Sequence, residues 1–328
     1  MNQTRNISPI FIGGTGRSGT TIFSRILEKH NLIYSFPQEL RFITDPDGLI
    51  SLQNSLVDNW SFFHADKAID RFIVLMKNLE KRYIGKYPTY SLSKIVGSQF
   101  YNSWVQNYYN SLTQYSIPNG WAGKINIFHK MIMRYLPNKL ITRLFVRDSF
   151  YCSPMSCDML KKLNEGFLID FFSEASKEKE ARFVVEHTPY NLLHFDFIKQ
   201  TLPNAKLIHI YRDPRDVICS YKTKDWGSQE FLQNAKMIND ALVHWETLKV
   251  KLPKDTYIEI CFEQLIYDYE NELKKVCSFL NIPFSDSFFD IDITKHNIGR
   301  WKTDLLENEK KVINDSFSDL IGKYGVNT

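Results

Sequence analysis

Gly14 and Gly19 bracket the residues Thr15, Gly16, Arg17 and Ser18, and Thr20 and Thr21 follow directly. The backbone N–H groups of such a turn, the hydroxyls of Ser18, Thr20 and Thr21, and the positive end of a following helix all attract an anion. Arg17 adds a full charge and a forked donor set that matches phosphate. A nucleoside-triphosphate loop has the same glycine spacing but continues with a lysine that reaches the β- and γ-phosphates. Here Thr20 stands in the lysine's place. The stretch is therefore equipped for phosphate and lacks the group that reads a triphosphate. A glycine turn with no ligand is the plainer alternative.

A second candidate lies in "IHIYRDPRDVICSY", where Arg212 ends an apolar run and Ser220 follows eight residues later. Pro214 suits the first turn of a helix, so a guanidinium at the end of a strand and a hydroxyl on the next helix can converge on a second anion. Ligands of open α/β sheets bind at that carboxyl edge. Arg212, Asp213, Arg215 and Asp216 forming a surface salt-bridge cluster is the competing reading.

The elements needed to position these groups are legible. Ile10 to Ile12 is a short apolar run that passes into glycines, as a buried parallel strand does, and from Thr20 the residues Ile22, Ile26 and Leu27 recur at helical spacing. Further on, "RFVVEHTP" reads as a strand ending near Glu186, "YNLLHFDFIKQTL" as a helix, "AKLIHIY" as a strand and "PRDVICSY" as a helix. After an amphipathic stretch around Phe231 to Leu252, "TYIEICF" reads as a strand and "YENELKKVCSFLNI" as a helix. This alternation predicts an α/β protein with a central parallel sheet flanked by helices. Residues 45–182, rich in aromatics such as Trp60, Phe62, Phe63, Tyr108, Tyr109, Trp121 and Phe128, read as a mostly helical insertion in a single domain spanning 1–328.

Composition narrows the class. With 328 residues and 43% hydrophobic content the chain can bury a sizeable core. A formal charge of +4 without blocks of like charge implies no nucleic-acid partner. Cys152, Cys157, Cys219, Cys261 and Cys277 have no metal-ligand spacing, no acidic metal-binding signature is evident, and reduced thiols are expected. The opening "MNQTRNISPIFIGG" has neither the apolar core of a signal peptide nor a run that would span a bilayer, so a cytoplasmic protein with no transmembrane segment is expected.

Taken together, the two anion-binding stretches resemble the sulfotransferase family, whose donor is 3′-phosphoadenosine 5′-phosphosulfate. The likeness extends over "EHTPYNLLHFDFIKQTLPNAKLIHIYRDPRDV" from Glu186, over "ICFEQLIYDYENELKKVCSFLNIPF" from Ile260, and over "HNIGRWKTDL" from His296, which resembles the family's C-terminal Gly-x-Trp-Lys loop. It leaves 45–182, where acceptor specificity is expected to reside, uncovered.

The resemblance implies a P-loop-containing nucleoside-triphosphate-hydrolase-like fold, and no metal. Arg17, Ser18, Gly19, Thr20 and Thr21 would hold the 5′-phosphosulfate, and Arg212 and Ser220 the 3′-phosphate. Adenosine 3′,5′-bisphosphate would be the product. Phe262 stands where many relatives have a Tyr against the adenine, so stacking is kept and a hydroxyl lost. Lys295, Arg300 and Lys302 are candidates for further phosphate contacts, since a clear Arg-Lys-Gly triplet is missing. The acceptor would be a hydroxyl of a glycan, a lipid or a small molecule.

Sulfuryl transfer requires a base for the acceptor proton and a cation for the leaving oxygen. "SFPQELRFI" places Glu39 shortly after the first helix, where the family's glycan and tyrosyl-protein enzymes have a Glu base; a solvated pair of Glu39 with Arg41 is the bland alternative. His187, in "EHTPYNLL", resembles the histidine base of cytosolic family members and is the rival, as base or cationic helper, with a neutral imidazole packed at a strand end as its bland alternative. Arg17, Glu39 and His187 are thus the expected catalytic groups. A kinase with a degenerate loop and a non-catalytic nucleotide-binding protein are the competing functions.

Overall fold

The computed structural model describes residues 7–84, 87–117, 148–293 and 297–326. The chain divides into two compact units, one made of Met1–Leu40 with Phe172–Thr328 and the other of Arg41–Phe171.

The first unit is built on a sheet of five strands, β1 (Ser8–Gly13), β2 (Ile33–Ser35), β3 (Phe183–Glu186), β4 (Lys206–Tyr211) and β5 (Tyr257–Cys261), in the order β2-β3-β1-β4-β5. Every pairing is parallel. Ile10, Phe11 and Ile12 in central β1 are fully buried, as expected of a strand covered on both faces. Helix α1 (Thr20–Glu28) lays Phe23, Ile26 and Leu27 into the same cluster as Ile10, Ile12, Ile208, Ile210 and Ile260, which is the i, i+3, i+4 face of an amphipathic helix. All five strands point their carboxyl ends one way and deliver the glycine loop, Phe36–Leu40, His187, Arg212 and Phe262 in turn.

Three elements differ from the sequence expectation. "YNLLHFDFIKQTL" is not one helix but a 3₁₀ segment, Pro189–His194, followed by an α-helix, Phe195–Thr201. The Asn191 amide bonds back to Glu186, and a Cβ on Gly13 would lie 2.8 Å from the Leu192 nitrogen. The tighter turn therefore hugs β1. The strand read through Phe262 stops at Cys261, and Phe262 opens a short helix, Phe262–Tyr267, before the longer helix Tyr269–Leu280. Strand β2 has three residues, too few for a recognisable alternation.

The second unit holds helices Leu49–Gln53, Phe62–Glu80, Ser93–Val96 and Ser98–Leu112, a π-helical turn Asn54–Asp58, and two short antiparallel ladders. It spans Arg41–Phe171, and the helix Cys157–Ala175 begins within it. Its aromatics make core: Trp104 stacks on Phe167 with ring centroids 3.9 Å apart, and Tyr108 stacks on the same ring at 4.1 Å. Trp121 and Phe128 lie outside the described residues. Among the described residues no helix is long and apolar enough to cross a membrane.

Gly19 joins the fold to the anion loop. Its φ is +106°, and a Cβ there would stand 2.5 Å from the Phe262 ring. Gly19→Ala is expected to destabilise the protein by about 1–3 kcal/mol through backbone strain and this overlap. In a Phe262→Ala background the loss should shrink, leaving the backbone part, as urea-denaturation double-mutant cycles will measure. Equal losses in the two backgrounds would mean that the ring does not rest on the loop.

Candidate functional site

The loop between β1 and α1 departs from regular backbone at three residues, with φ of +77° at Gly16, +58° at Arg17 and +106° at Gly19. A Cβ on Gly14 would fall 2.3 Å from Ser18 Oγ and 2.6 Å from the Ile210 carbonyl, so only glycine lets the chain curl there. The curl buries Ser18 completely, and its Oγ has no hydrogen-bond partner among the described residues. No side chain caps the N-terminus of α1. An orphaned hydroxyl beside an uncapped helix end is what a bound anion would satisfy, and the residues present fit a phosphate. Thr20 is buried and Thr21 exposed on the first turn of α1.

Helix α2 (Pro214–Lys222) holds this loop from the side. Arg17 Nε donates to Ser220 Oγ at 3.0 Å, linking the two sequence motifs across 203 residues. The buried Tyr221 donates its hydroxyl to the Thr15 carbonyl. At its other end the loop is backed by Phe262, which is only 8% exposed and lies beneath Arg212, whose guanidinium carbon is 5.5 Å from the ring centre. Phe262 is therefore a core residue that supports Gly19 and Arg212.

The cluster around Arg212 is buried, not superficial. Arg212 donates to Asp216 Oδ2 at 2.9 Å and to the Asn297 carbonyl. Its Nε is buried without a hydrogen bond among the described residues, 4.0 Å from Glu263 Oε1. Asp216 also accepts from the Gly299 N–H at 2.8 Å and the Trp301 N–H at 3.0 Å, so it ties the C-terminal loop to α2. Arg215 pairs with Asp213 through both nitrogens of its fork, at 3.0 and 2.6 Å, and lies 3.8 Å over the Trp301 ring. Asp213 caps α2 by accepting from the Arg215 N–H. Arg212 and Ser220 thus have separate partners, Asp216 and Arg17. Arg300 pairs with Asp304 at 2.6 Å, and Lys295 lies outside the described residues.

The candidate bases stand on the other side of β1. Glu39 is half-buried in the segment after β2. That segment is anchored twice: the Phe36 N–H donates to the Val185 carbonyl and the Leu40 N–H to Glu186 Oε1, both at 3.0 Å. Glu186 is fully enclosed and also accepts from the Thr188 N–H, the Thr188 hydroxyl and the Asn191 amide. Burial pushes its carboxyl above the ordinary range, against the pull of these donors. His187 is 3% exposed, and its Nδ1 has no hydrogen-bond partner among the described residues. Burial first, and the Arg25 charge second, push the imidazole down to about 4, so it is neutral at neutral pH.

The sequence assigned no positioning role to Glu186, Tyr221 or Glu263, and Asp216 entered only as part of a surface salt-bridge cluster. Each acts through a buried hydrogen bond to a neighbour, which leaves no mark in spacing. The one available signal was an acid closing the apolar strand "RFVVE", since such a residue must find donors.

A family model described as "Sulfotransferase family" matches residues 158–286. No curated protein is significantly similar to the chain. Among solved structures, the chain is similar to the sulfotransferase domain from the curacin biosynthetic pathway, at 16% identity and a TM-score of 0.49 over 96% of this chain and 98% of that one. The sulfotransferase domain of the Synechococcus PCC 7002 olefin synthase gives 16% identity and 0.49 over 96% of each chain, and a sulfotransferase from Mycobacterium avium gives 10% identity and 0.48 over 98% and 78%. The matched stretch, less than half of the chain, carries Glu186, Arg212 and Ser220 to the edge of the sheet where the glycine loop of β1 lies, and over that stretch the chain is similar to the sulfotransferase family.

Proposed function

We propose that this enzyme moves a sulfuryl group from 3′-phosphoadenosine 5′-phosphosulfate to a hydroxyl of a glycan, lipid or small-molecule acceptor. The observation that supports this most is the 3.0 Å contact of Arg17 with Ser220, which brings a lysine-free phosphate loop beside the segment expected to read a second phosphate. The donor supplies an activated sulfur on a phosphate leaving group. Arg17, the orphaned Ser18 hydroxyl and the uncapped N–H groups of α1 bind its 5′ end, while Ser220 and Arg212 take the 3′-phosphate. Arg212 brings to that task a charge already balanced by Asp216 and Glu263, so it acts chiefly as a fixed donor. The surroundings of Phe262 support a backing role better than direct stacking on adenine, and Arg300 must release Asp304 to reach a phosphate.

In the transfer, Glu39 takes the acceptor's proton as its oxygen bonds to sulfur, the sulfur–oxygen bond to phosphate breaks, and Arg17 stabilises the charge on the departing oxygen. His187 is the weaker candidate for base: it is enclosed and resists a proton until about pH 4. Glu186 positions both groups, because it holds the Leu40 N–H next to Glu39 and directly precedes His187.

Transfer of radiolabelled sulfur from the donor to pooled glycan, lipid and phenol acceptors tests the function, and Glu39→Gln should lower that turnover by about 10²–10⁴-fold with donor affinity nearly intact. His187→Ala should cost less, and the opposite ranking would transfer the role of base to His187. The depressed His187 also makes a stability prediction. Between its ordinary 6.5 and about 4 the unfolded chain takes up a proton that the folded protein refuses, so stability falls as pH falls through that window and is unaffected by this group above it. Urea denaturation of His187→Gln should lack this part of the acid loss, about 2–3 kcal/mol at pH 4; parallel curves for the two proteins would mean that the ring is not shielded.

A further inference from the structure

The aromatic residues beside the start of the phosphate loop are left unused by the donor. Tyr221 is buried, bonds the Thr15 carbonyl, and meets the Trp226 ring edge-on with centroids 4.7 Å apart. Its hydroxyl also interacts with that of Tyr190, which follows Pro189, the residue whose carbonyl takes the Gly14 N–H at 2.9 Å. Unlike Tyr221, Trp226 and Tyr190 are open, at 57% and 45% exposure.

The exposed Trp226 is held in place. The chain folds back onto the end of α2 at Gly227, where a Cβ would stand 2.1 Å from the Tyr221 carbonyl. The fully buried Asn234 then clamps Ser228 twice, accepting its N–H at 2.9 Å and donating to its carbonyl at 2.7 Å. A large aromatic face fixed toward water, one ring away from the phosphate loop, is an arrangement made for stacking. Its setting is polar: Lys224 and Asp225 precede the indole, and Gln229 follows on the exposed side of the turn.

We propose that Trp226 and Tyr190 form the acceptor platform, and that the acceptor it takes is a carbohydrate whose pyranose ring stacks by its C–H face while its hydroxyls meet the polar rim. This rests on the sulfotransferase reading above. A hydrocarbon acceptor would strip water from Lys224 and Asp225 without replacing it, which is costly, whereas a sugar returns hydrogen bonds to them. The platform lies at the Thr15 end of the loop, opposite the Gly19 end that Phe262 and Ile210 close, so it seats an acceptor without displacing the nucleotide.

The experiment titrates the full-length wild type, Trp226→Ala and Trp226→Phe with cellotetraose, maltotetraose, 2-naphthol and 1-octanol by calorimetry. Each protein is also titrated with adenosine 3′,5′-bisphosphate. A tetrasaccharide should bind the wild type, weaken by about tenfold or more in Trp226→Ala, and be largely retained in Trp226→Phe, with bisphosphate affinity the same in all three. Tetrasaccharide binding that is absent, or equally strong in Trp226→Ala, overturns the platform, as does binding of naphthol or octanol alone. If the bisphosphate fails to bind even the wild type, the sulfotransferase reading fails, and the platform with it.

Discussion

The hydrogen bond between Arg17 and Ser220 is the constraint around which the first unit is arranged. A forked donor on a tight glycine loop is useful only if its direction is fixed, and nothing on the loop itself can fix it. The restraint comes from α2, which supplies Ser220 to Arg17 and Tyr221 to the Thr15 carbonyl in consecutive positions. That in turn demands an α2 whose own start is immobile. Asp213 and Arg215 provide it, with the Asp213 backbone N–H seated on Glu263 at 3.0 Å.

Buried acids do much of this positioning. Glu186, Asp213, Asp216 and Glu263 are each under 3% exposed, and each is surrounded by donors from a different stretch of chain. Burying a carboxylate is unfavourable unless it is paired or hydrogen-bonded, and removing one partner of such a set is far more damaging than an exposed pair would be. Two of them, Asp216 and Glu263, flank Arg212 and hold its plane, and Glu186 does the equivalent for the segment carrying Glu39. In the proposed anion site the backbone N–H groups and two arginines would face the ligand, with carboxylates behind them holding Arg212 in place.

Much of this was legible in the sequence because the decisive features are local. Ile10 to Ile12 running into Gly14 and Gly19 marks a strand, loop and helix, and Pro214 marks the start of α2, since each depends on neighbours within a few residues. What was not legible depends on contacts distant in sequence. Phe262 reads as the last residue of a strand, yet it opens a helix and packs under Gly19, which lies more than two hundred residues earlier. The competing reading of Arg212 to Asp216 as a surface salt-bridge cluster could not foresee that the C-terminal loop at Gly299 and Trp301 bonds to Asp216. The aromatics of 45–182 gave no sign of which would be stacked core, as Trp104 and Phe167 are.

The central claim is that a phosphate loop without its lysine serves a bisphosphate-bearing nucleotide and not a triphosphate. Calorimetric titration of the wild-type protein with adenosine 3′,5′-bisphosphate and with ATP, each in excess chelator and again with magnesium, measures it most directly. The account predicts that the bisphosphate binds at least about tenfold tighter than ATP, because a second phosphate anchor is worth of order 1.4 kcal/mol or more, and that chelator leaves this preference unchanged. Magnesium-dependent ATP binding that exceeds the affinity for the bisphosphate would contradict it.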